Sequence, residues 1–162
     1  MIGRPGWLTR LLGSSGRHAP TGAEVLRIVY ESGSEFDPAD PFGLCVLDLR
    51  SDGDVHLTTR RRAVERAYRA TMRPGVLERV VRNLREGGFP GVPEHVVPAG
   101  PTRRLQVHTA TGHQQTPPMA FHEAPRWPGY REAFHLLDSL VVAVSRGELP
   151  VVPDPEPDLT ET

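Results

Sequence analysis

Residues 44–60 read LCVLDLRSDGDVHLTTR, and the way this stretch folds back on itself decides the architecture. Two β-branched and leucine-rich runs flank Ser51-Asp52-Gly53, a turn signal between strands. Two registers compete. A two-residue Asp52-Gly53 loop sets His56 beside Leu49 and Thr58 beside Leu47, mixing polar and apolar side chains on one face. A three-residue loop pairs Leu49 with Val55, Leu47 with Leu57 and Cys45 with Thr59, which keeps one face apolar. Register follows the apolar face, because a slip of one residue turns every side chain over. The second register also puts Gly53 at the left-handed position that closes the loop, where a residue without Cβ is favoured. On the polar face it opposes Asp48 to His56 and Arg50 to Asp54, cross-strand pairs worth about a few tenths of a kcal/mol each.

Working outward, EVLRIVYE (24–31) is β-branched and aromatic and reads as a strand, joined to the hairpin by the Gly-, Asp- and Pro-rich loop SGSEFDPADPFG. RRAVERAYRATM (61–72) places Val64, Tyr68 and Met72 at a spacing that suits a strand face or a helix face, and the strand reading is preferred. Pro74 suits the first turn of a helix in which Leu77, Val80, Val81 and Leu84 form the apolar stripe, and Gly87-Gly88 ends it. FPGVPEHVVPAGP (89–101) holds four prolines in thirteen residues and reads as an extended, rigid connection with Phe89 anchored in the core. RRLQVHTATGHQQTPPMAFHEA (103–124) reads as a second hairpin, with Leu105, Val107 and Thr109 on one strand and Met119 and Phe121 on the other. After Pro128, Tyr130, Phe134, Leu137, Val141 and Val144 recur at helical spacing. Strands arriving as hairpins imply an α+β two-layer sandwich: an antiparallel sheet of about five to six strands with two helices packed on one face.

The 162 residues, 38% hydrophobic and 24% charged with a formal net charge of -1, fit one soluble domain. It is expected over residues 22–147. Residues 1–21 carry Arg4, Arg10 and Arg17 with no acid and read as a flexible basic arm. Residues 148–162 carry Glu148, Asp154, Glu156, Asp158 and Glu161 with no base, alternate proline with acid, and read as a disordered tail. The longest apolar stretch, Leu136 to Val144, is interrupted by Asp138 and Ser139, so no membrane span and no membrane partner is expected. With no secretory pattern at the start and Cys45 as the single cysteine, the expected location is the cytoplasm.

Every basic residue is arginine, 19 in all, with no lysine. That excludes Schiff-base chemistry, a P-loop lysine and a kinase-type phosphate lysine. No G-x-S-x-G, H-E-x-x-H, G-x-G-x-x-G or Walker pattern occurs, so no catalytic residue is assigned and an enzyme is the less favoured reading. Cys45 sits in an apolar strand as an inert thiol, and by strand parity it faces away from Asp48 and His56, which removes a triad built from the three.

Three constellations remain as candidates. Among seven histidines, His108, His122 and His113 lie close in sequence with His95, Glu94 and Glu123 nearby; if the second hairpin brings His108 and His122 together, zinc is the cofactor they would hold. Arg60, Arg61, Arg62, Arg66, Arg69 and Arg73, continued by Arg79, Arg82 and Arg85, make a basic stripe able to follow a phosphate backbone. Interleaved Glu65, Glu78 and Glu86 and the absence of a stacking platform make nucleic acid the weaker use of it. The same arginines suit an acidic protein surface, where Arg61, Arg62, Arg66 and Arg69 would pair with carboxylates. Trp127, Tyr130 and Arg131 are residue types enriched at binding hot spots, although a Trp before a helix commonly serves as a packing anchor.

The D-G turn in LDLRSDGDVHL, the helix ending in GGFPGVP, and the hairpin and helix that follow resemble a loosely defined group of small bacterial α+β domains over about residues 24–146. The resemblance implies no assigned activity. Some small single-domain bacterial proteins of this kind act as immunity or partner proteins for toxins, which implies another protein as the partner. The leading expectation is a non-enzymatic cytoplasmic interaction domain; the alternatives are a metal-binding protein or metal-dependent enzyme using the histidines, and nucleic-acid binding along Arg60–Arg85.

Overall fold

A computed structural model describes residues 24–37, 42–92 and 100–146. The basic arm, the acidic tail and the greater part of the proline-rich connection, with Glu94 and His95, lie outside the described residues. The strands are β1 (Val25–Gly33), β2 (Leu44–Arg50), β3 (Asp54–Arg61), β4 (Val64–Thr71), β5 (Thr102–Thr109), β6 (Gly112–Gln115) and β7 (Met119–Ala120); the helices are α1 (Val76–Glu86) and α2 (Tyr130–Ser145). They form one antiparallel sheet in the order β4-β3-β2-β1-β5-β6, with β7 on β5. The α+β two-layer sandwich is thus the observed fold.

The β2–β3 register pairs Leu49 with Val55, Leu47 with Leu57 and Cys45 with Thr59, and Gly53 has φ 92°. The apolar face chose the register, as the alternation requires. Residues 64–71 are a strand, whose Tyr68 and Ala70 stand opposite Leu57 and Val55. On the core side these rows continue through Ile28 and Tyr30 of β1 and Leu105 and Val107 of β5, all buried. α1 sets Leu77, Val80, Val81 and Leu84 on the core, and α2 sets Tyr130, Phe134, Leu137, Val141 and Val144 there. Each buried aliphatic side chain contributes about 1.5–3 kcal/mol by leaving water.

Two local expectations are corrected. α1 begins at Val76 with Gly75 (φ 94°) as its N-cap, so Pro74 lies before the helix and not in its first turn. The second hairpin turns earlier than expected: β5 pairs with β6, His108 opposite His113, and only its other end pairs with β7, Arg103 opposite Met119. Pro117 and Pro118 have no N–H to give the ladder and split what would have been one long strand. Just before them, Thr116 keeps the ladder closed through its backbone N–H to the Leu105 carbonyl (2.9 Å) and its hydroxyl, which accepts from the Leu105 N–H (3.2 Å).

The two helices interlock where α1 ends and α2 begins. The Phe89 N–H donates to the Leu84 carbonyl at 2.9 Å, and Phe89 is buried as expected. Gly129 (φ 79°) lies so close to Gly87 that a Cβ there would overlap the Gly87 backbone, and its N–H donates to Glu132 Oε2 at 2.8 Å. This contact fixes where α2 starts, and therefore where its last turn, Ser145–Arg146, runs out over the sheet.

One charge enters the core. Arg103, on the buried face of β5, donates from Nε to the Phe121 carbonyl (2.8 Å) and from Nη1 to Asp138 Oδ2 (2.8 Å) and to the Tyr30 hydroxyl. The Tyr30 hydroxyl donates to Asp138 Oδ1 at 2.7 Å, and the guanidinium lies 4.0 Å from the Phe121 ring centroid. Burial first, then the Asp138 charge, push the Tyr30 phenol well above its ordinary pKa.

Candidate functional site

The run LTTRRRAVERAYRA (57–70) forms the β3–β4 hairpin, and strand alternation sorts its arginines onto two faces. Arg60, opposite Glu65, and Arg69, opposite His56, project from the face without helices. Arg61, opposite Val64, and Arg66, opposite Thr59, follow the parity of Leu57 and Tyr68 and face the helix layer. α2 ends short of them. The result is a cleft of about 580 Å³ lined by Phe42, Thr59, Val64, Tyr68 and Ser145 together with the guanidinium-bearing Arg61, Arg62, Arg66 and Arg146.

Among the described residues the lining has no carboxylate, imidazole or thiol, and the Ser145 hydroxyl is occupied as a donor to the Val142 carbonyl at 2.7 Å. The described lining residues thus include no general base. Among the described residues no carboxylate lies within ion-pair distance of Arg61, Arg62, Arg66 or Arg146, whereas Arg27, Arg50, Arg60, Arg69, Arg103 and Arg131 all have acidic neighbours. Val64 in the lining is 59% exposed, and Phe36 on the neighbouring β1–β2 loop is 78% exposed.

The tip of the hairpin is strained. Arg62 (φ 49°) and Ala63 (φ 64°) both adopt the left-handed region, as a two-residue turn of this hand demands, although Asn-Gly is the sequence that suits it. Glu35 holds the turn in place. Its side chain accepts from the Ala63 N–H at 2.9 Å, and its carbonyl accepts from the Arg62 N–H at 3.3 Å. Strain maintained by surrounding contacts is a feature of binding sites, and here it presents Arg62 at the cleft mouth.

Arg69, placed with this group from sequence, belongs to the opposite face. There His56 Nε2 lies 2.6 Å from Asp54 Oδ2 and 3.1 Å from Arg69 Nη2. A proton on Nε2 serves the carboxylate, which leaves Arg69 beside the pair as a charge neighbour, 3.9 Å from Asp54 Oδ2. The bond from His56 is the main cause that lowers the Asp54 pKa. Asp48 is cross-strand from His56 as expected, but its carboxylate instead accepts from Arg27 Nε and Nη2, both at 2.8 Å. A bidentate guanidinium outcompetes a single imidazole N–H for the same oxygens. Cys45 is buried on the other side of the sheet. The division by parity also breaks up the expected stripe from Arg60 to Arg85, since its members occupy the two sheet faces and α1.

Histidines are not gathered either. His108 and His113 stack with ring centroids 5.3 Å apart, while His122 lies beyond β7 against Phe121. The early turn to β6 gives His108 the partner that was expected to be His122. Burial, then Arg27, lower the His108 pKa. Among the described residues no group of three His, Cys, Asp or Glu is placed to hold a metal ion. Tyr130 is likewise corrected: it is fully buried, and its hydroxyl donates to the Gly91 carbonyl at 2.6 Å. Trp127 packs edge-on against it, which makes the pair a packing anchor, and Arg131 is exposed beside Glu132.

Of the residues expected to bind a partner, Arg61, Arg62 and Arg66 come together. Phe42, Tyr68 and Arg146 were missed, and parity with Leu57 was the available signal for Tyr68. No protein-family model matches the sequence, and no curated protein matches it. No helix among the described residues is long and apolar enough to cross a membrane.

Proposed function

We propose that the protein is a non-enzymatic interaction domain whose arginine-lined cleft receives an acidic segment of another protein. The observation that carries this reading is the set of four guanidinium groups without carboxylate neighbours among the described residues, arranged around Phe42, Val64 and Tyr68. Guanidinium forks pair with carboxylates in two-point geometry, and an apolar floor excludes the water that would weaken such pairs. An acidic partner also agrees with the partner-protein role that the resemblance implies.

The test is retention of proteins from the host's lysate on the immobilised full chain, compared with Arg61→Ser/Arg66→Ser and with Arg79→Ser/Arg82→Ser on α1. Both double variants remove two positive charges, but only the first touches the cleft. A protein held in stoichiometric amount by the native chain and the α1 variant, and lost from the cleft variant, is the expected result. Identical retention by all three overturns the proposal.

A further inference from the structure

We infer that residues 147–162 of this chain occupy the arginine-lined cleft as an intramolecular ligand, which an acidic partner must displace. The inference rests on the reading of the cleft as a carboxylate-binding site and names what regulates it.

Three observations lead to it. The segment starts where the cleft is: α2 ends at Ser145, and both Ser145 and Arg146 are lining residues, so residue 147 leaves from the wall. Its charge is complementary, because GELPVVPDPEPDLTET holds five acids and no base, whereas the described lining residues include four arginines and no acid. Its apolar residues, Leu149, Val151, Val152 and Leu159, are of the kind that would cover Phe42, Val64 and Tyr68.

Spacing supports the match. The guanidiniums come from different walls, namely β3, β4, their turn and the end of α2, so that several acids of one short segment can each meet a different one. Arg61 and Arg66 are diagonal cross-strand neighbours, with Cβ atoms somewhat under about 7–8 Å apart, within reach of two carboxylates of one short segment. The eight residues from Arg146 to Asp154 span at most about 26–29 Å, enough to leave the helix end and turn back over the cleft.

Occupancy within one chain is favoured over exchange between two. A ligand tethered by a few residues has an effective concentration on the order of millimolar, far above a micromolar solution of free chains. The tethered segment therefore sets a threshold, and only a partner with more carboxylates, or better placed ones, binds. Screening by salt weakens each carboxylate–guanidinium pair and should release the segment.

The experiment uses the full chain carrying Thr160→Cys with a nitroxide spin label, Cys45 being buried, and reads relaxation enhancement at the arginine side-chain N–H signals. In low salt the label should broaden the signals of Arg61, Arg62 and Arg66 and spare Arg82 on α1. The broadening should vanish in Asp154→Asn/Glu156→Gln/Asp158→Asn and should not depend on protein concentration. A companion titration adds a fluorescent octaglutamate peptide, which should bind the charge-neutralised chain at least tenfold more tightly than the native chain, and Arg61→Ser/Arg66→Ser on that background should lose the binding. Absence of site-selective broadening together with equal peptide affinity for native and neutralised chains overturns the inference while leaving the cleft a carboxylate site. If octaglutamate binds neither chain, the cleft reading falls with it. Broadening that grows with concentration means exchange between two copies and overturns occupancy within one chain.

Discussion

Removing Asp138 should cost this protein more than removing the arginine it neutralises. Asp138→Leu leaves the Arg103 guanidinium, whose side chain is 5% exposed, without counter-charge, whereas Arg103→Met leaves a carboxylate that is 43% exposed and can turn to water. At 2.8 Å and an effective dielectric constant of about 20, the attraction lost is about 6 kcal/mol before screening. Water at the half-exposed carboxylate takes up part of it, and breaking such pairs on one side costs about 3–5 kcal/mol. The Tyr30 hydroxyl also loses the acceptor it holds at 2.7 Å. The expected loss for Asp138→Leu is about 3 kcal/mol, or on the order of 10 °C in Tm for a domain of this size. For Arg103→Met it is about 2 kcal/mol, from the unbonded Phe121 carbonyl and the lost packing over its ring. The double variant removes both charges and should cost clearly less than the sum, about 2 kcal/mol. Urea unfolding at pH 7, followed by circular dichroism with unchanged m-values, measures all three. A double variant whose cost equals the sum of the singles, or an Arg103→Met variant less stable than Asp138→Leu, would refute the assignment of Arg103 as a buried charge dependent on Asp138.

Two further outcomes follow from the core and from the turn. Burial raises the pKa of Tyr30, which also faces Asp138, and of Tyr130, so above about pH 10 the unfolded chain releases phenolic protons that the folded chain keeps, and stability falls as pH rises. The slope should approach about 1.4 kcal/mol per pH unit for each tyrosine, and a urea midpoint unchanged between pH 9 and 11 would contradict it. At the β3–β4 turn, the left-handed region costs a residue with Cβ roughly 1–2 kcal/mol, and the extra unfolded freedom of glycine offsets about 0.4–1 of that, so Ala63→Gly should stabilise by about 0.5–1 kcal/mol. Destabilisation by urea unfolding would show that Ala63 does not hold that conformation.

Much of the layer arrangement was legible because strand period and helix period each produced a single consistent apolar face. The Leu49–Val55 register, the stripe from Tyr130 to Val144 and the end of α1 at Gly87 all follow from neighbours in sequence. The second hairpin was not legible at the same level. Both β6 and β7 can pair with β5, and the choice was made by a turn at Ala110-Thr111 and by prolines that interrupt the ladder, neither of which alters the apolar pattern. The histidine cluster fell with that hairpin. Tyr130 is one residue type with two uses, and the periodicity that placed it in the core stripe should have removed it from the surface set. The cleft is harder to read from sequence, since its walls meet only when the end of α2 comes over the β3–β4 hairpin, and that depends on the Gly87–Gly129 contact.

Arginines at core-side positions separate structural from functional use in this fold. Arg103, Arg61 and Arg66 all sit where strand alternation calls for an apolar residue. Arg103 lies beneath α2, where an unpaired cation would be prohibitively costly, and the structure supplies Asp138, the Tyr30 hydroxyl and the Phe121 carbonyl around it. Arg61 and Arg66 lie past the last turn of α2, where no carboxylate among the described residues approaches them. Extending the helix layer over them would bury two charges with nothing to pair, so the sequence itself keeps this end of the sandwich open. Leucine at both positions would leave apolar surface that no described element covers. Among the described residues these arginines thus have no carboxylate partner and stand beside Phe42, Val64 and Tyr68, and that combination distinguishes the cleft from the charge-paired surface on the other side of the sheet.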